Sequence, residues 1–110
     1  MDAVVILPDA AFYVYRDDII ALARSHRLPE MAYTTAYVES GGLFVYAANL
    51  EDMSYQAASY VDRILKGGKP ADMPVQLPVT FDFVINTRAA RDIGLVLPRA
   101  VLLRATRVID

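Results

Sequence analysis

Residues 3–9, AVVILPD, decide the fold: an apolar, β-branched run that stops at a Pro-Asp pair. Val4 to Leu7 are apolar without alternation, which suits a strand covered on both faces, as in a parallel sheet with helices on each side. In open parallel sheets the loops at the carboxyl ends of the strands hold the ligand, so residues 8–12 are the first place to look for a site. Asp9, directly after the strand, either caps the next segment or faces that ligand.

Working outward, Arg16 to Arg27 reads as a helix, with Ile19, Ile20, Leu22, Ala23 and His26 at three- and four-residue spacing. Asp17 and Asp18 suit its first turn and Arg24 and Arg27 its last, and Pro29 disfavours helical geometry at Leu28. Glu30 to Tyr33 forms a second strand. Thr34 and Thr35 are candidate caps for a short helix from Ala36 to Ser40, which Gly41-Gly42 stops. Leu43 to Tyr46 is a third strand. Asn49 caps a long helix to about Lys66, with a stripe of Met53, Ala57, Val61, Ile64 and Leu65.

Residues 69–79 carry Pro70, Pro74 and Pro78, the mark of a crossing segment without regular structure. Thr80 to Asn86 is a fourth strand, with Phe81, Phe83 and Ile85 on one face. Thr87 caps a helix to about Ile93, Gly94 stops it, and Pro98 opens a last helix reaching about Arg107. Strands and helices alternate throughout, predicting one domain over residues 1–110: a three-layer α/β/α arrangement on a mainly parallel sheet.

Composition narrows the function. The 110 residues carry a net charge of −2 with both signs mixed, so no basic stripe exists to hold nucleic acid. The hydrophobic fraction of 55% is above that of an ordinary soluble domain and suggests a buried interface beyond one core. There is no cysteine and one histidine, His26, which removes thiolate chemistry and multi-histidine metal sites. Ser40 lacks a nucleophile-elbow context, and Lys66-Gly-Gly-Lys69 lacks phosphate-loop spacing. The reading therefore assigns no catalytic residue, no metal and no cofactor. Of seven tyrosines, Tyr13, Tyr15, Tyr33, Tyr37 and Tyr46 cluster near the ends of the first three strands. Their rings stack and their hydroxyls bond, which suits a small-molecule cleft. The start, MDAVVILPD, lacks the basic segment of a secretory signal and enters a core strand abruptly, so the chain reads as a fragment of a larger protein.

Residues 61–75, VDRILKGGKPADMPV, and the strand-helix pattern F-x-x-V-I-N-x-x-x-A-x-x-x-G-L at residues 81–95 resemble the C-terminal part of ABC-transporter substrate-binding proteins of the tryptophan/tyrosine type. LPDAAF at 7–12, ARSHRLPEM at 23–31 and GGLFVYAAN at 41–49 extend the resemblance over nearly the whole chain. It implies one partial lobe of a type I periplasmic binding protein-like fold, with the cleft wall opposite lying outside these residues. By that layout residues 3–46 belong to the second lobe and the helix after Asn49 crosses towards the first. The implied role is binding of a small molecule such as an amino acid, delivered to an ABC permease, by a periplasmic or extracytoplasmic parent protein. Strand-end position and matched family positions together name Asp9 for an amino or hydroxyl group, Phe12 and Tyr46 for the ligand body, and backbone groups at Ala10 and Thr34. The stripe after Asn49 would lack its partner, which predicts self-association into a homo-oligomer. A free-standing α/β dimerisation or regulatory domain that binds no solute is the alternative.

Overall fold

A computed structural model describes residues 2–110. The described chain runs β1 (Val4–Val5), α1 (Ala10–Val14), α2 (Arg16–Ser25), β2 (Glu30–Ala32), α3 (Thr35–Glu39), β3 (Phe44–Ala48), α4 (Leu50–Leu65), a 3-10 turn (Pro70–Asp72), β4 (Phe81–Asn86), α5 (Thr87–Asp92), α6 (Arg99–Arg104) and β5 (Arg107–Ile109). The strands form one sheet in the order β1-β2-β3-β4-β5. The β1–β2, β2–β3 and β4–β5 pairs are parallel, in register at Val4/Glu30, Met31/Phe44 and Ile85/Val108. Between β3 and β4 the sense reverses. The Asn86 amide donates to the Leu43 carbonyl (2.9 Å), setting the end of β4 beside the start of β3, and the Phe83 ring meets both Phe44 and Tyr46.

The chain separates into two compact units, one running up to Ala47 and joined by Asp82–Asp110, the other Ala48–Phe81. In the first, three apolar clusters hold helices on the sheet. Ile6, Ile20, Ala32 and Tyr37 join β2 to α2 and α3; Val38, Val45 and Val84 join α3 to the central strands; Leu43, Ala89 and Ala90 seat α5. The mainly parallel α/β sheet flanked by helices is the architecture read from the sequence.

In the second unit the Asn49 side chain accepts from the Asp52 amide (2.8 Å), the cap expected there, and α4 runs to Leu65. None of its residues is buried. After the 3-10 turn, Val75, Leu77 and Val79 project from irregular backbone at 94%, 79% and 78% exposure.

Several local readings are corrected. The Val4–Leu7 run is not a strand covered on both faces: β1 is two residues long at the edge of the sheet, and burial alternates, with Ile6 buried and Val5 and Leu7 exposed. Residues after Asp9 form a helix, α1, that apolar periodicity does not announce because it buries no side chain. The helix after β4 is capped by Asn86, whose side chain accepts from Ala89 N at 3.0 Å, and not by Thr87, whose hydroxyl donates to Asp110 at 2.8 Å. Thr34 holds the N-cap position of α3 with extended backbone, but its side chain makes no capping bond. The last helix stops at Arg104 instead of Arg107 and gives way to β5. Thr106 explains the stop: its amide and hydroxyl both donate to the Phe83 carbonyl (2.8 and 3.0 Å), so pairing with β4 replaces the helical bonds.

Glu30 is the charged side chain in this core, 6% exposed, and its Oε1 accepts from the Leu43 amide at 2.6 Å. Burial raises its pKa above the ordinary 4.5, against the opposing pull of that amide and of Arg24. A carboxyl whose folded pKa lies above its unfolded one binds more protons when folded, so it favours the fold as pH falls and costs stability once ionised. Urea titrations of the wild type and Glu30→Gln should therefore shift in favour of the wild type as pH is lowered from neutrality towards ~5. A pH-independent difference between the two proteins would contradict this account.

Candidate functional site

Because β1, β2 and β3 run parallel, their carboxyl ends share one edge of the sheet. Four of the five predicted site residues lie beyond those ends. Asp9 and Ala10 follow β1, Phe12 sits within α1, and Thr34 follows β2. Tyr46 lies inside β3, with its ring against Phe83 edge-on, centroids 5.9 Å apart at 81°. Phe12 and Tyr46 are 45% and 57% exposed, leaving apolar ring surface in solvent.

Asp9 fulfils the capping half of its reading: its Oδ1 accepts from the Ala11 amide at 2.7 Å, and its own backbone is extended. That bond fixes the orientation of an exposed carboxylate at the edge of the sheet. Ala10 opens α1, where the first amides of a helix have no partner in the helix itself.

What holds α1 in place is a set of side chains outside the five. The Tyr33 hydroxyl donates to the Asp9 carbonyl at 2.9 Å, and the Tyr37 hydroxyl donates to the Phe12 carbonyl. Arg16 donates from its guanidinium to the Tyr13 carbonyl and to Ser40 Oγ, both at 3.0 Å, and lies 4.7 Å from the Tyr13 ring centroid. Tyr33 and Tyr37 were legible as part of the strand-end tyrosine cluster; their bonding partners, 24 and 25 residues away in sequence, were not.

Elsewhere in the first unit a polar cavity of about 360 Å³ is lined by residues including Arg24, Glu39, Ser40, Asn86, Arg88 and Asp92, and by none of the five. His26 lies exposed at the end of α2, its Nδ1 2.9 Å from the Leu22 carbonyl, a structural position. Among the described residues no group of three or more His, Cys, Asp or Glu side chains could hold a metal ion, and no helix is long and apolar enough to cross a membrane.

The fold and the sequence can be placed among known proteins. A conserved domain protein from Vibrio cholerae shares 33% identity at a TM-score of 0.88, over 97% of this chain and 36% of that one. An ABC domain from Streptococcus pneumoniae, solved in complex with L-Trp, shares 31% identity at a TM-score of 0.88, over 99% of this chain and 37% of that one. A ligand-free, open substrate-binding protein with adhesive properties from Clostridium difficile, 21% identical, shares the fold at a TM-score of 0.68 over 97% of this chain. This chain thus spans little more than a third of the length of the first two. No curated protein matches it. The family model described as ABC transporter substrate binding protein matches residues 1–109, and the chain therefore belongs to that family.

Proposed function

We propose that this chain is the C-terminal part of the solute-binding component of an ABC importer, without catalytic activity, and that its solute is a small molecule such as an aromatic or branched amino acid. The observation that carries the reading is the L-Trp complex of a 31% identical protein whose structure corresponds to 99% of this chain. In this reading the Asp9 carboxylate pairs with the solute's ammonium group, Phe12 and Tyr46 pack on its body, and backbone groups at Ala10 and Thr34 complete the polar contacts. The permease is the protein partner, and the parent protein works outside the cytoplasm.

Protein made from the complete reading frame should bind L-Trp, L-Tyr or L-Leu in calorimetry, and Asp9→Ala should weaken binding by roughly 10- to 100-fold, the worth of a charge-assisted hydrogen bond. No heat with any of the three, or full affinity in Asp9→Ala, would contradict the reading. The 110-residue chain by itself should bind weakly, since it supplies one wall of the cleft.

A second reading, an interaction domain that dimerises and binds no solute, is favoured by α4, which buries no residue and leaves Met53, Val61, Ile64 and Leu65 exposed. Both readings expect the 110-residue chain to self-associate. Light scattering that finds a monomer at high concentration counts against that expectation, and amino-acid binding separates the two readings.

A further inference from the structure

We propose that Tyr33 and Tyr37 are positioning residues for the solute site: by donating to the Asp9 and Phe12 carbonyls they hold α1 in its binding geometry before the solute arrives. The inference rests on the solute-binding reading of α1 given above.

The need for such a clamp follows from α1 itself. It has five residues, all exposed, whereas isolated helices below about 12 residues are marginal in water. No buried apolar face ties it to the sheet. Its internal bonds are few, with Tyr13 N to Asp9 O at 3.1 Å and Tyr15 N to Ala11 O at 3.0 Å closing one turn and a half. The carbonyls of a last helical turn have no partner in the helix, and here they are taken by side chains from elsewhere. Tyr37 takes Phe12 and Arg16 takes Tyr13. At the other end Tyr33 takes Asp9.

The two tyrosines come from the rigid side of the contact. Tyr37 is fully buried with Ile6, Ile20 and Ala32, and the Tyr33 ring packs on it with centroids 5.8 Å apart. A phenol is already protonated at neutral pH, and burial, and next the neighbouring Tyr33, raise the Tyr37 pKa further against the opposing pull of Arg16. Two bonds three residues apart on α1 restrict both its rotation and its translation. They fall on the residues that bear the candidate carboxylate and the candidate ring. A solute that packs on Phe12 would otherwise have to order α1 as it bound, and removing that cost in advance raises affinity without adding a contact to the solute.

The test uses Tyr33→Phe and Tyr37→Phe, which delete one hydroxyl each and keep the rings. Tyr60→Phe is the control, because the Tyr60 hydroxyl also donates to a backbone carbonyl, that of Pro74 at 2.6 Å, outside the site. In solute-free protein from the complete reading frame, hydrogen exchange of the amides of residues 11–15 should speed up by about fivefold in each variant, the worth of one ordinary hydrogen bond, while amides of β3 and β4 keep their rates. L-Trp affinity should fall by about fivefold in each variant and not in Tyr60→Phe. Unchanged exchange at residues 11–15, or an affinity loss matched by faster exchange throughout the sheet, would overturn the proposal. If the wild type binds no amino acid, the solute reading falls, and the exchange result alone decides whether the clamp exists.

Discussion

Alanine at Gly42 is expected to destabilise the fold by about 3 kcal/mol, at the upper end of the overpacking range, although it adds a single methyl group. A Cβ at this position would stand 2.7 Å from the Tyr37 carbonyl oxygen and 2.7 Å from Glu30 Oε1. Neither neighbour is free to retreat. The Tyr37 carbonyl accepts from the Gly42 amide itself at 2.7 Å, the bond that ends α3, and Glu30 Oε1 accepts from the Leu43 amide at 2.6 Å at the start of β3. Relief requires breaking one of these buried bonds, and an unmade buried bond costs ~1–3 kcal/mol on its own. Gly94 supplies the comparison. Its φ of +74° strains any L side chain, but a Cβ there meets nothing within 4 Å, so Gly94→Ala should cost only about 1 kcal/mol. Urea midpoints of the two variants test the order, and a Gly42→Ala cost at or below that of Gly94→Ala would refute the steric account.

Truncating Tyr37 to alanine is expected to cost about 3–5 kcal/mol, the range for large aromatic side chains in a core. Its exposure is 0%, it packs with Ile6, Ile20 and Ala32, and its hydroxyl serves the Phe12 carbonyl. The loss combines a cavity beneath β2 with the release of α1. For a chain of this size a 4 kcal/mol change corresponds to a fall in melting temperature of roughly 15 °C, a large part of ordinary domain stability. Tyr37→Phe should recover most of that loss, because the ring fills the cavity and only the hydroxyl is missing. Thermal denaturation of the pair separates packing from clamping; equal losses in both variants would mean that the hydroxyl, not the ring, dominates.

Much of the fold is legible locally. The Asn49 cap and the Gly41-Gly42 stop depend on neighbours within a few residues and hold in the structure, whereas the Val4–Leu7 run marks the place of a strand but not its surroundings, since β1 lies at the edge of the sheet with Val5 and Leu7 exposed. Two readings were overruled, at Thr106 by a distant partner and at Thr87 by the adjacent residue. Thr106 looked helical until its bonds to Phe83, 23 residues away, made it the entry to β5. Thr87 has the chemistry of a cap, but Asn86 one residue earlier takes that place and leaves the Thr87 hydroxyl to Asp110.

The candidate site divides in the same way. Asp9 was recognisable from its place after an apolar strand, and Tyr46 and the other strand-end tyrosines from their spacing and residue type. That a helix begins at Ala10 was hidden, because α1 is stabilised by hydroxyl groups from residues 33 and 37 and not by an apolar stripe of its own.

From the sequence alone came the alternation of strands and helices, the mainly parallel sheet and the family resemblance. Each is written in short-range periodicity, caps and stops, or in contiguous motifs. Tertiary structure alone decided that Tyr33 and Tyr37 hold the helix after Asp9, that β5 completes the sheet and that Gly42 has no room for a methyl group. These depend on which groups meet across 5 to 25 residues of intervening chain, and periodicity carries no record of such meetings.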